Sequence, residues 1–182
     1  MAQRLTREEF HRWAEGQTQR YEPIAGEPVA MPPERAQHVR LKSRVWAALD
    51  RATRDAGLDC EALADGMTIE VDAETDYGPD AGVNYGPPVS PDATAATNPV
   101  IVVEVLSPST QSVDSGEKLA DYFRVPSIQH CLVVRSRRQE IIHHARRAGQ
   151  EIVSRAVNVG VIRLDPPGII LDVAEIYAGP DH

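Results

Sequence analysis

The segment from Val100 to Leu106 constrains the fold more than any other part of the chain. Val100, Ile101, Val102 and Val103 make the most continuously apolar run in the protein. β-Branched side chains are stiff and pack well on a pleated surface, so the segment reads as a buried strand. Glu104 then interrupts it, before Val105 and Leu106 resume the apolar pattern. Removing a carboxylate from water costs several kcal/mol in effective terms unless a partner compensates it. Glu104 therefore has a cation or metal beside it, or it stands at the strand's exposed end.

The 182 residues suffice for one domain, spanning 1–182, with a sizeable core. A content of 42% hydrophobic and 25% charged residues is that of an ordinary soluble globular protein. No apolar run reaches the length of a membrane-spanning helix. The start, MAQRLTREEFHRW, lacks the apolar centre of a signal peptide, so a cytoplasmic location is expected. Cys60 and Cys131 sit in apolar contexts and read as buried free thiols.

A formal net charge of −8 argues against a broad, sequence-independent nucleic-acid surface. It leaves room for a local basic cleft. Arg35, Arg40, Lys42 and Arg44 form one basic cluster; Arg135, Arg137, Arg138, Arg146 and Arg147 form another. Solvated faces are the simplest account of both. An acidic surplus also suits a pocket for a cation.

Thr6 and Glu9 have the spacing of a capping box, which predicts a helix to about Ala14 with Phe10 and Trp13 on one face. Arg20–Ile24 and Glu27–Met31 flank Ala25-Gly26 and predict a hairpin. Apolar residues at Val39, Val45, Trp46, Leu49 and Ala52 predict a long helix from about Ala36 to Ala56, ended by Gly57, with His38 in its first turn. Extended segments follow at 59–64 and 67–72, separated by the turn signal Asp65-Gly66, and again at 81–85. Residues 86–97 read as an exposed, mobile loop. After the Val100 strand come a turn-rich link, a helix with Asp114 as N-cap and Glu117 three residues on, and strands near 129–135, 140–145, 151–159, 161–164 and 168–173. This order is mixed α/β: a sheet flanked by helices, without regular βαβ alternation.

Asp80 and Glu104 stand out chemically, because each begins or interrupts a strand. If their strands pair, both carboxylates can point into one cleft. A divalent cation would relieve their repulsion and leave both ionised. Mg²⁺ is typically held by one or two carboxylates and several waters. Lys118, on the helix after the Glu104 strand, can reach back toward the same place. A plain Glu104–Lys118 ion pair explains these residues equally well at this level.

The motifs Arg20-Tyr21-Glu22…Gly26-Glu27, Met31-Pro32-Pro33…His38 and Pro79-Asp80 lead to the string Val102-Val103-Glu104-Val105-Leu106-Ser107-Pro108-Ser109-Thr110…Asp114…Glu117-Lys118-Leu119…Tyr122. Over nearly its whole length the chain resembles the Uma2 (DUF820) family, a branch of the PD-(D/E)xK restriction-endonuclease-like superfamily. The resemblance implies a restriction-endonuclease-like core, a mixed β-sheet between helices, preceded by an N-terminal helix and β-hairpin. It implies a Mg²⁺- or Mn²⁺-dependent nuclease with Asp80 and Glu104 on the metal. Lys118 takes the place of the superfamily's lysine, whose usual position, two residues after the second acid, is Leu106 here. Glu22 would assist, His38 would border the cleft, and Arg35, Arg40 and Lys42 would hold backbone phosphates. The partner implied is nucleic acid, DNA rather than RNA, with the chain as a homodimer whose axis could use the apolar run 168–173. The alternative is an inactive nuclease-fold module for binding or assembly. Pro23, where a leucine is usual, and the small Ala81-Gly82-Val83 depart from the pattern. They predict an altered strand at Glu22 and looser packing beside Asp80.

Overall fold

The computed structural model describes residues 4–106 and 115–179. The Val100 segment becomes β7 (Pro99–Leu106), the centre of a six-stranded sheet. Its neighbours on one side are β6 (Ala81–Tyr85) and β3 (Cys60–Ala64). On the other lie β8 (His130–Arg135), β9 (Ile141–Arg146) and β10 (Ile152–Val157). Only β7 and β8 run parallel; the other pairs in this sheet are antiparallel. From Val100 to Val103, and at Val105, β7 is at most 4% exposed, so both of its faces are covered. Burying each such side chain is worth roughly 1.5–3 kcal/mol.

One face of the sheet packs on α2 (Ala36–Asp55), the hairpin β11 (Val161–Leu164) and β12 (Ile169–Asp172), and α4 (Val173–Tyr177). The other packs on α3 (Ser115–Tyr122) through Val102, Cys131, Val133, Leu119 and Tyr122. The link and the Asp114 N-cap expected ahead of α3 lie outside the described residues. No helix among the described residues is long and apolar enough to cross a membrane.

At the N-terminal end, α1 (Arg7–Ala14) has the expected capping box, with Phe10 buried. Arg7 grips Asp76 with two short bonds, Nε–Oδ2 at 2.7 Å and Nη2–Oδ1 at 2.6 Å. This ties α1 to the small ribbon of β4 (Ile69–Glu70) and β5 (Asp76–Tyr77). The hairpin β1 (Tyr21–Ile24) and β2 (Glu27–Ala30) forms as expected. Pro23 sits opposite Pro28 in it. A two-stranded ribbon tolerates proline because its outer edge needs no donor.

Three expectations change. The face of α2 is rotated: Leu41, Val45, Ala48 and Leu49 are buried, whereas Val39 is 46% and Trp46 36% exposed. Val39 lies six residues from Val45, about 240° around a helix, so the two cannot share one stripe. The Asp65-Gly66 turn does not close a hairpin, since β3 pairs with β6 and β4 with β5. Small residues beside Asp80 do not loosen the packing. Ala81 and Val83 are at most 1% exposed, and a Cβ on Gly82 would sit 2.9 Å from the Ile101 carbonyl oxygen.

Two further details bear on the sequence reading. The 86–97 loop is pinned by a bridge between Thr68 and Ala95 and by the Val89 N–H donating to Glu61 at 2.7 Å. In the 168–173 run, Ile169, Leu171 and Val173 fill this chain's own core, and Ile170, 48% exposed, is what that run leaves for another chain.

Gly82→Ala is expected to cost about 1–3 kcal/mol in urea unfolding, the usual penalty for overfilling a packed core. Gly57→Ala has open space around it but a φ of +63°, so it should lose about 1 kcal/mol. Equal losses would show that the approach of Ile101 to Gly82 is not limiting.

Candidate functional site

The last paired residues of β6 and β7 toward the site are Ala81 and Val103. One step beyond them, Asp80 and Glu104 come opposite each other at the end of the sheet. Asp80 is fixed by its own backbone and side chain: its N–H donates to the Val103 carbonyl at 2.9 Å, and its Oδ2 accepts from the Val105 N–H at 2.6 Å. Upstream, β5 is clamped by Arg7 and runs directly into Gly78-Pro79-Asp80, so the approach to the acid is rigid.

Each acid receives a lysine from a different helix. Lys42 of α2 reaches Asp80 Oδ1 at 2.8 Å, and also Glu34 at 2.6 Å and Asp65 at 2.7 Å. Lys118 of α3 reaches Glu104 Oε1 at 2.9 Å, and the same oxygen accepts the Tyr122 hydroxyl proton at 2.5 Å. The Lys118 ammonium also lies 5.0 Å from the Tyr77 ring centre and 5.8 Å from that of Tyr122. Tyr77 is held in turn by donating to Asp121 at 2.9 Å. The aromatic pair thus encloses the cation from its apolar side.

Glu22 belongs to the same group. It is 7% exposed, accepts from the Gly78 N–H at 2.7 Å, and lies 4.0 Å from Lys118. Gly78 makes this possible, because a Cβ there would come 2.8 Å from Arg20 and 3.2 Å from Glu22. His38 borders the cluster from α2: its Nε2–H donates to the Val105 carbonyl at 2.5 Å and lies 4.0 Å from Asp80. Lys42 is only 6% exposed with three carboxylates around it, so it faces Asp80 rather than a phosphate in solution. Arg35, the N-cap of α2, and Arg40 on its first turns are both exposed.

Sequence reasoning brought out Asp80, Glu104, Lys118, Glu22 and His38. It missed Tyr122, Tyr77, Gly78 and the inward role of Lys42. Tyr122 had a readable signal, being four residues after Lys118 and so on the same helix face. Glu34 and Asp65 gave none, since Asp65 reads only as turn chemistry.

The charges do not balance. Glu22, Glu34, Asp65, Asp80 and Glu104 face Arg20, Lys42 and Lys118, a surplus of two negative charges. Burial pushes the Glu104 carboxyl up to about 7; Lys118 and Tyr122 oppose this and Asp80 adds to it. Burial works against the Lys118 ammonium, yet Glu104 and Glu22 hold its pKa above the ordinary value. Lys42 is likewise raised, against burial, by Asp80, Asp65 and Glu34. Hard carboxylate oxygens and two unmatched negative charges are what a Mg²⁺-like cation takes, so the donor set fits such an ion. Among the described residues no three His, Cys, Asp or Glu side chains already converge closely enough to hold a metal by themselves. The two acids and solvent would have to complete the shell, with the lysines giving way.

A mixed sheet between helices, with two acids and a lysine at one end of the central strands, is the arrangement that the resemblance to restriction-endonuclease-like proteins implies. The Uma2 family model, described as "Putative restriction endonuclease", matches residues 7–174, and the chain belongs to this family. "Uncharacterized protein slr1290" from Synechocystis sp. is 31% identical over 182 residues, covering 97% of this chain and 93% of that protein. A crystal structure described as "a putative nuclease belonging to DUF820", from Anabaena variabilis, superposes with a TM-score of 0.71. That match covers 96% of this chain and 98% of the other at 13% identity, so it shows a shared fold.

Lys118→Met should cost about 3–5 kcal/mol at pH 8, where it strands a buried carboxylate. The sign with pH follows from Glu104, whose folded value of about 7 lies above the ordinary 4.5. Its contribution to stability is full below 4.5 and is lost as pH rises through about 7. The Lys118→Met loss should therefore shrink at pH 5, and a Glu104→Gln background should remove most of it at pH 8. Tyr122→Phe should lose about 1.5–3 kcal/mol, the worth of a hydrogen bond to a charged group. Urea unfolding of the four variants across pH checks this; a pH-independent Lys118→Met loss would contradict it.

Proposed function

We propose that the chain is a divalent-metal-dependent nuclease acting on nucleic acid. The observation that supports this best is the convergence of Glu22, Asp80, Glu104 and Lys118 at one end of the sheet with two negative charges unmatched. Asp80 and Glu104 would hold Mg²⁺ or Mn²⁺, with Glu22 at the edge of the shell. When bound, such a cation supplies Lewis-acid chemistry, making water more acidic and offsetting charge on a phosphoryl oxygen. Lys118 stays protonated, so its part is to donate to the phosphate or orient water, not to remove a proton. Lys42 holds Asp80 in place from α2. Lys118 meets Glu104 at Oε1 and lies 4.0 Å from Glu22, so Glu22 is the acid to which its ammonium would turn if a cation took its place on Glu104. Arg35 and Arg40, exposed at the start of α2, are placed to meet backbone phosphates. Duplex DNA is the preferred substrate in this reading, cleaved by a cytoplasmic homodimer with one site per strand.

A second reading also has its observation. Asp80 and Glu104 each already have a lysine within 3 Å, at 2.8 and 2.9 Å. A nuclease-fold module that binds or assembles without cutting would keep these ion pairs as structural links.

Purified protein with Mg²⁺ or Mn²⁺ is expected to cleave DNA. Asp80→Asn should abolish cleavage, and Lys118→Gln should reduce it by about 10²–10³-fold, the loss typical of one transition-state donor. Circular dichroism would establish that both variants are folded. In calorimetry, Mn²⁺ should bind the wild type and bind Glu104→Gln far more weakly. Equal Mn²⁺ affinities, with no cleavage of DNA or RNA in either metal, would favour the non-catalytic module.

A further inference from the structure

A second cluster of charged side chains lies away from the carboxylates. A cavity of about 350 Å³ is lined by His130, Arg147, Arg155, Val161, Arg163 and Asp165. His130 pairs in register with Ile101 across the parallel strands, three residues before Glu104 on β7. An odd offset puts it on the opposite face of the sheet from Glu104, about 10 Å back along the strand. This cavity is not part of the candidate nuclease site.

Its charge is unusual for an acidic chain. Several of the arginines elsewhere are neutralised: Arg7, Arg20, Arg51, Arg54, Arg124, Arg135 and Arg138 each pair with a carboxylate. Among the described residues, Arg147, Arg155 and Arg163 have no carboxylate within ion-pair distance. Three guanidinium groups thus face one cavity with a single acid, Asp165, in its wall.

The hydrogen bonds behind the cavity fix a fourth donor. Arg155 Nε can only donate, and it donates to His143 Nδ1 at 3.3 Å. His143 Nδ1 is therefore an acceptor, so the ring's proton is on Nε2. That nitrogen lies 3.0 Å from His130 Nδ1, which must accept, leaving the His130 proton on Nε2. Both rings are buried, at 3% and 2% exposure, and burial holds both neutral, as this chain of bonds requires. His130 Nε2–H is then a buried donor without a hydrogen-bond partner. The carbonyls of Asp165 and Pro166 come near enough to favour its proton, but neither meets hydrogen-bond geometry. Leaving a buried donor unsatisfied is unfavourable, and an incoming acceptor would recover that cost.

We propose that this cavity binds a phosphate group, with Arg147, Arg155 and Arg163 supplying charge and bidentate donors and His130 Nε2–H a fixed donor from its wall. Guanidinium forks match the geometry of phosphate oxygens. The volume lies in the range of small-molecule sites, so a mononucleotide fits as well as the terminal phosphate of an oligonucleotide.

The test is calorimetric titration of the full chain with inorganic phosphate, adenosine 5′-monophosphate, and one oligonucleotide with and without a 5′-phosphate. Nitrogen-15 spectra of the histidine side chains would accompany it. Phosphate should bind and shift the His130 Nε2 resonance. Arg163→Gln, which leaves the histidine chain intact, should weaken binding about tenfold or more. Asp80→Asn should leave it unchanged, so this result stands apart from the nuclease reading. Tighter binding of the monophosphate than of inorganic phosphate identifies a nucleotide as the source of the phosphate. A gain confined to the 5′-phosphorylated strand identifies an oligonucleotide end. No phosphate binding, or binding that Arg163→Gln does not weaken and that leaves His130 Nε2 unmoved, would overturn the proposal.

Discussion

The structure depends on how a charge is kept inside its central strand. Glu104 is largely covered by its neighbours, and the Lys118 ammonium and Tyr122 hydroxyl meet it on one oxygen. Because both come from α3, the charge decides where that helix docks on the sheet. The Tyr77 and Tyr122 rings then close over the ammonium, so the polar contact and the apolar cluster stabilise the same arrangement. Asp80 is compensated from the opposite face by Lys42 of α2, and it accepts from the backbone N–H of Val105. Two helices on two faces of one sheet are drawn to one end by two carboxylates.

Compensation is partial, and the chemistry follows from that. An ion pair built only for stability would be expected to balance its charges, since a buried pair seldom improves on apolar packing. Here Glu22 is added beside Lys118, and Glu34 and Asp65 beside Lys42. The surplus leaves the site negative, with its acids held by rigid backbone and its lysines on long side chains. That combination suits the exchange of an ammonium for a divalent ion. The Uma2 family, to which the chain belongs, is described as "Putative restriction endonuclease".

Much of the fold was legible because it rests on local rules. The Thr6–Glu9 capping box, the Ala25-Gly26 hairpin and the β-branched run of β7 each specify their element with residues close in sequence. The pairing of β3 was not legible, because Asp65-Gly66 announces a turn without saying which strand comes back. The face of α2 was misread by counting Val39 and Trp46 as core, when Lys42 occupies the buried side as a counterion for Asp80. Glu104, Asp80 and Lys118 could be found because each violates or punctuates an apolar pattern. Glu34 and Asp65 reach the site only through tertiary folding, and no local pattern sets them apart from other surface acids.

In the proposed nuclease, Asp80 and Glu104 would share a cation at the place where each acid now pairs with its own lysine. A crystal soaked in Mn²⁺ at pH 8, measured at the manganese absorption edge, tests it directly. An anomalous peak is expected between the two carboxylates, with Lys118 displaced from Glu104 toward Glu22. An absent peak, with Lys42 still on Asp80 and Lys118 still on Glu104, would contradict it and leave the acids as structural ion pairs.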